Sequence, residues 1–152
     1  ALTYPFLGPG LLLLPLALVV LLLFTAAVIT WTSAWNVRYR DITYIVELAM
    51  LAWFWGTPIV YPTNILPDRI RDTAFFDVYL LNPLANIVLG FQRALYGGTD
   101  VPRLPTGELV LPAADISWYA LRLGVVGLVS LVLLYLAWRT FFRLSGDFAE
   151  EL

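Results

Sequence analysis

The chain has 152 residues, 61% hydrophobic, 15% aromatic and 13% charged, with a formal net charge of −2 and a mean hydropathy of +0.81. Soluble domains run at about 45–50% apolar and about 25% charged, and a chain this short has too little interior to hide so much apolar surface; its natural solvent is lipid. All 9 cations are arginine, and there is no histidine or cysteine, which leaves no basic balance for nucleic acid, no disulfide framework and almost no route to a zinc or iron site.

No charge precedes Arg38, and the sequence opens on Ala1 without a basic stretch leading to a cleavage site. Such a start is expected of the C-terminal part of a longer chain. Residues 11–31, LLLLPLALVVLLLFTAAVITW, form the first uncharged run. As a helix it is about 32 Å long, the thickness of a hydrocarbon core. Pro15 lies in the first turns, where a kink costs least, and Trp31 and Trp35 mark an interface. The string NVRYRD from Asn36 to Asp41 ends the run.

A second span is expected over 42–61, ITYIVELAMLAWFWGTPIVY, carrying one charge, Glu47, and broken near its end by Gly56-Thr57-Pro58. Glu47 reads as an acid that snorkels or pairs with a neighbouring helix. Residues 62–81 hold a short helix over 67–81, with Pro67 in its first turn and Asp68 and Arg71 spaced to pair. The next segment, 82–97, is apolar and helical but too short to cross. Asn82 suits an N-cap, Pro83 the first helical position, and Gly97-Gly98 a stop.

Leu84, Ile87, Val88, Phe91 and Leu95 make one apolar stripe of this helix; Asn86, Gly90, Arg93 and Gly97 make the opposite face. Two arrangements fit. The helix lies flat at the surface with Arg93 in water, or it enters the membrane domain with its polar face along an aqueous path. A proline-rich loop, 98–117, follows. The third span is expected over 118–138, with Arg122 one turn in and Arg139 and Arg143 beyond it. Ala120, Gly124 and Gly127 put small side chains on one face, which permits close helix packing.

Arginine is densest in Asn36–Asp41 and after Trp138, and these flanks place the Arg38/Arg40 loop and the C-terminus in the cytoplasm, with 62–117 outside. Chemistry is sparse. No G-x-x-x-x-G-K-[ST] phosphate loop occurs, and without His, Cys or Lys the usual nucleophilic triads are excluded. Asp68/Asp72 and Glu150/Glu151 read as solvated charge. Any ATP site must come from a partner.

Three stretches in one order resemble a known family. Asn36-Val37-Arg38-Tyr39-Arg40-Asp41-Ile42, Thr57-Pro58-Ile59-Val60-Tyr61-Pro62, and Leu81-Asn82-Pro83-Leu84 with Phe91-Gln92-Arg93 resemble motifs of the ABC-2 type permeases that export lipid-linked polysaccharides such as O-antigen, teichoic acid and galactan precursors. Phe141 to Leu152, with FAEEL, suits that family's C-terminus. The chain departs from the pattern in its long proline-rich loop and in Gln92.

The resemblance implies an all-α membrane protein: three transmembrane helices plus two short external re-entrant gate helices, about 67–81 and 82–97, forming the C-terminal half of a six-span permease in the bacterial inner membrane. It implies a second copy of the permease, a separate ABC ATPase subunit that binds ATP and Mg, and a lipid-linked glycan as cargo, with no cofactor and no catalysis in this chain. The external gate falls to Asn82, Pro83, Phe91 and Arg93, and a cytoplasmic gate to Arg38, Tyr39, Arg40 and Asp41. Beside that second role stands a simpler one, topology charge, with Asp41 at the start of the next helix. Trp53, Trp55, Tyr61 and Tyr96 offer faces for sugar rings, or form an interfacial aromatic belt. Two alternative readings are an ABC-2 exporter of drugs or small lipids, and a membrane-embedded glycan-processing enzyme built on an essential carboxylate.

Overall fold

The computed structural model describes residues 9–39, 41–59, 74–96 and 111–145, and every regular element among them is helical. A 3-10 turn, Pro9–Leu12, leads into α1, Leu13–Arg38. The others are α2 (Ile42–Trp55), α3 (Ala74–Tyr79), α4 (Pro83–Tyr96) and α5 (Ile116–Ser145). Only α1 and α5 are long and apolar enough, among the described residues, to cross a bilayer.

These two helices pack side by side and form most of the core. On α1 the buried positions are Leu13, Ala17, Val20, Phe24, Ala27 and Ala34; on α5 they are Tyr119, Leu123, Val126, Ser130 and Ala137. Both series advance by fours, threes and sevens, the spacing of a coiled-coil seam. A Cβ on Gly127 would stand 3.2 Å from Val20, while Leu133 shares a small cavity with Ala27 and Trp31. Contacts that climb together in both sequences mean that α1 and α5 run parallel. Their C-terminal ends therefore lie at the same end of the bundle.

The small-residue face expected from Ala120, Gly124 and Gly127 is only partly the packing face. Gly127 meets α1, but a Cβ on Gly124 would find nothing within 4 Å. The seam lies one residue over, through Tyr119, Leu123 and Val126, because in an all-apolar helix small size alone does not choose the contact side.

α2 turns back along α1. The Thr43 hydroxyl donates to Asn36 Oδ1 at 2.9 Å near the turn, and further along Trp53 meets Phe24 edge-on, ring centroids 5.6 Å apart. The helix is 14 residues long and stops at Trp55, about 21 Å by rise, at the Gly56-Thr57-Pro58 break expected within the 42–61 span; residues 60 and 61 lie outside the described residues. Gly56 and Thr57 close the last turn through bonds to Ala52 and Phe54 carbonyls, and Pro58 brings no N–H to continue it. Of the 67–81 helix, 74–79 is helical and 67–73 lies outside the described residues. Loop residues 111–115 precede α5 and are tied to it by the Tyr119 hydroxyl, which donates to the Pro112 carbonyl at 2.9 Å.

α4 wedges against both long helices near their N-terminal ends. A Cβ on Gly10 would lie 3.4 Å from the Arg93 carbonyl, and one on Gly90 would lie 2.9 Å from a Leu123 methyl. Gly90 is thus a close-approach position: its missing side chain lets α4 settle onto α5.

Candidate functional site

The segment around Asn82 joins four pieces of chain. The expected start of α4 is met: Pro83 opens the helix, and the Leu84 N–H donates to Asn82 Oδ1 at 3.1 Å, the geometry of a side-chain N-cap. The same oxygen accepts the Trp53 indole N–H at 2.8 Å. Asn82 Nδ2 donates to the Gly56 carbonyl at 2.9 Å and, more weakly, to Thr57 Oγ1 at 3.4 Å. One amide therefore caps the start of α4 and covers a carbonyl at the broken end of α2.

Two more amides continue this pattern. Asn86 Nδ2 donates to the Leu80 carbonyl at 2.6 Å and the Asn82 carbonyl at 2.9 Å, and Gln92 Nε2 donates to the Pro58 carbonyl at 2.9 Å. A carbonyl in low-dielectric surroundings without a donor costs on the order of 1–3 kcal/mol. Asn82, Asn86 and Gln92 supply donors where the backbone leaves its helical ladder, at Gly56, Pro58 and Leu80, and Asn86 adds a second donor to the Asn82 carbonyl, which also accepts the Asn86 N–H.

Of the two arrangements weighed for α4, the one with Arg93 in water does not match the burial. Asn86 and Arg93 are each only 5% exposed, and Gly90 is buried as well. Leu95 on the apolar stripe is 44% exposed. The polar stripe faces protein and the apolar stripe lies partly outward, which is the reverse of a helix floating with Arg93 in water. Arg93 stands within electrostatic reach of the buried Tyr119 hydroxyl.

The position of this helix along the bundle follows from its neighbours. Leu80, Leu81 and Pro83 share a groove with Val126 and Val129 of α5, and Asn82 bonds Trp53, which packs on Phe24 of α1. Val126 and Phe24 are each about ten residues into their helices, roughly 15 Å along them. At its other end α4 meets Gly10, before α1 begins. So α4 starts about a third of the way along the long helices, which are 26 and 30 residues long, and runs back toward their N-terminal ends.

The remaining site residues are distributed as follows. Phe91 is half-buried against the core. Trp53 is half-buried, with its N–H on Asn82 and its ring on Phe24. Trp55 and Tyr96 are 62% and 66% exposed. Tyr61 lies outside the described residues. At the opposite end of the bundle Tyr39 stacks on Trp35, centroids 5.6 Å apart. Asp41 sits at the N-cap of α2 without a side-chain capping bond. The Arg38 side chain and Arg40 lie outside the described residues. Glu47 is exposed and borders a cleft of about 240 Å³ with Thr32, Asn36 and Thr43.

Sequence reasoning singled out Asn82 but missed the parts played by Asn86, Gln92 and Thr57. Asn82 and Asn86 four apart, in a helix with a single charge, was the available signal: primary amides donate to carbonyls without bringing a charge into an apolar setting. Among the described residues, no group of three acidic side chains is placed to hold a metal ion.

The resemblance to ABC-2 type polysaccharide-export permeases is borne out among curated proteins. The chain is 29% identical over 140 residues to the O-antigen export system permease protein RfbA of Myxococcus xanthus, covering 92% of this chain and 46% of that protein. Two proteins of the same name from Klebsiella pneumoniae are 29% and 26% identical, over 57% and 56% of this chain and 31% of each relative. The chain thus spans about half the length, or less, of the curated relatives it matches. No family model matches it, and no solved structure does.

Proposed function

We propose that this chain is the C-terminal half of the membrane permease of an ATP-driven exporter of lipid-linked polysaccharide, an O-antigen-type glycan by its relatives' names. The observation that carries the reading is the course of α3 and α4, whose joining turn lies about a third of the way along α1 and α5, with its Leu80 and Asn82 carbonyls covered by Asn86. Backbone outside a helix is tolerated at membrane depth only when protein or water satisfies it. Such a turn fits a re-entrant pair that enters and leaves on one side.

In this reading the chain contributes three spans, with α2 completing the third, and the pair α3–α4 forms an external gate. The parallel course of α1 and α5 supports placing the Arg38/Arg40 loop and the C-terminus on one face, the cytoplasmic face of the bacterial inner membrane. ATP and Mg belong to an ABC ATPase subunit, and a second copy of the permease completes the path. Nucleotide binding shifts the pair between closed and open states through contacts that differ between them. The bonds from Asn82 and Gln92 to the end of α2 make α2 the lever: when α2 tilts, the gate helix goes with it. Arg93 then holds charge at the gate, and the exposed faces of Trp55 and Tyr96 are placed for sugar rings.

The test is purification of the full-length protein with its ATPase, followed by ATP turnover with and without lipid-linked glycan. Co-purification and glycan-stimulated turnover are expected; no ATPase partner, or turnover indifferent to the glycan, overturns the reading. Because the chain has no native cysteine, single cysteines at Asn64 and Thr106 report topology directly. They are expected to label from outside, and labelling only from the cytoplasm inverts the orientation. Arg93→Ala is expected to lower export; unchanged export and basal ATPase would reduce Arg93 to a structural role.

A further inference from the structure

A groove of about 410 Å³ runs between the α3–α4 turn and the outer flank of α5. Leu81 and Pro83 form one wall, Arg122, Val125 and Val129 the other, and Asn86 lies within the lining. It is separate from the amide cluster at the end of α2. Arg122, Val125 and Val129 recur at three- and four-residue steps, so the apolar wall continues one helix stripe directly below the arginine. Among the described residues, no acidic side chain lines the groove.

Arg122 is held in place. Its guanidinium sits 4.3 Å from the centroid of the Trp118 ring, one turn nearer the start of α5. Stacking uses the flat face of a guanidinium and leaves its N–H edge for an oxyanion, the fork that suits phosphate. Arg122 is six residues into α5, about 9 Å along the helix, within the depth from which a long cation reaches a headgroup. The second polar group is Asn86. Its Nδ2 is committed to two carbonyls, whereas Oδ1 is buried without a hydrogen-bond donor. The residue is only 5% exposed and its Oδ1 is closed off from the groove, so the groove carries one fixed cation, Arg122, above an apolar track.

We propose that this groove seats one anionic phospholipid of the surrounding bilayer, phosphatidylglycerol. The phosphate rests on the Arg122 edge, and an acyl chain runs along Val125 and Val129. Choline headgroups offer no net negative charge to Arg122. The proposal rests on α5 crossing the membrane and does not depend on what the protein exports.

The experiment is native mass spectrometry of the full-length permease, delipidated and titrated with phosphatidylglycerol or phosphatidylcholine. One tightly retained phosphatidylglycerol is expected, with phosphatidylcholine bound at least fivefold more weakly. An arginine near the membrane surface is worth about 1 kcal/mol toward anionic lipid, so Arg122→Gln is expected to weaken phosphatidylglycerol about fivefold and leave phosphatidylcholine unchanged. Val125→Trp, which fills the groove without touching the charge, is expected to displace the lipid. Equal retention of both lipids by the wild type, or no effect of Arg122→Gln on either, overturns the proposal. A photo-crosslinker at Leu121, on the same flank, gives an independent readout. A lipid adduct supports the seat; a crosslink to another part of the permease shows that protein covers the groove and overturns it. These readouts are independent of ATPase activity and export, so failure here leaves the transport reading intact.

Discussion

Replacing Asn82 with alanine removes the side chain on which the start of α4 and the end of α2 both depend. Two groups lose their partners outright: the Trp53 indole N–H, now bonded at 2.8 Å, and the Gly56 carbonyl, now at 2.9 Å. The contact to Thr57 Oγ1 at 3.4 Å is long enough to ignore. Each abandoned group costs about 1–3 kcal/mol if fully buried; these are only part-buried or exposed, so about 1 kcal/mol apiece is the fair figure. Losing the N-cap at the Leu84 N–H adds about 1 kcal/mol. The sum is about 3 kcal/mol, expressed as local opening of the first turn of α4 rather than global unfolding. Hydrogen exchange of the amides at 84–87 in the full-length protein is expected to quicken about a hundredfold, since each 1.4 kcal/mol is a factor of ten. Asn82→Ser separates the two roles, because serine caps a helix but is too short to reach Gly56. It is expected to recover about a third of the loss. Unchanged exchange in Asn82→Ala, or full recovery by serine, would refute the idea that this residue latches α2 to α4.

Gly90→Ala places a Cβ 2.9 Å from one Leu123 methyl and 3.2 Å from the other, so the buried Leu123 side chain must shift. A destabilisation of about 1–3 kcal/mol is expected, read as a lower Tm and partly relieved by Leu123→Ala in a double-mutant cycle. Gly127→Leu, facing Val20 at 3.2 Å, is expected to cost a similar amount, while Gly124→Leu, open within 4 Å, stays within about 0.5 kcal/mol; equal losses in thermal melts would contradict the parallel seam. Gln92→Ala removes one bond to the Pro58 carbonyl and is expected to cost about 1 kcal/mol. Gln92→Glu should cost more at neutral pH, because a carboxylate then faces a carbonyl, and a thermal shift that ranks the two the other way would refute the assignment.

The long helices and the start of α4 were legible in the sequence for plain reasons. An uncharged run of bilayer length has few other uses, and Asn82-Pro83 opens a helix through donor counting alone; the stop expected at Gly97-Gly98 lies outside the described residues. The direction in which α4 turns its polar stripe was not legible. Periodicity separates Asn86 and Arg93 from Ile87 and Phe91, but it does not say whether water or backbone receives the polar side. For Asn86 the receivers are the carbonyls of Leu80 and Asn82, set in its reach by the turn from α3 into α4. Likewise the α1–α5 seam was hidden, since every side of each helix is apolar and hydrophobicity cannot select among equals. Glu47 and Arg122 were visible as charges; the cation–π contact with Trp118 fixes where Arg122 points, and no pattern could have shown that.

The parallel seam between α1 and α5 has a consequence for synthesis. Val20 and its partner Gly127 are about a hundred residues apart in the chain, and ribosomes add about 5–20 residues per second. The alanines of α1 that later meet α5 must therefore spend about five to twenty seconds against lipid tails or an insertase. Lipid tails are no less apolar than leucine, so nothing but packing distinguishes the waiting partner from the final one. A ribosome stalled before Ile116 would leave α1 stably inserted yet unpaired, a species that quality-control proteases can recognise by its missing neighbour and not by exposed polar surface.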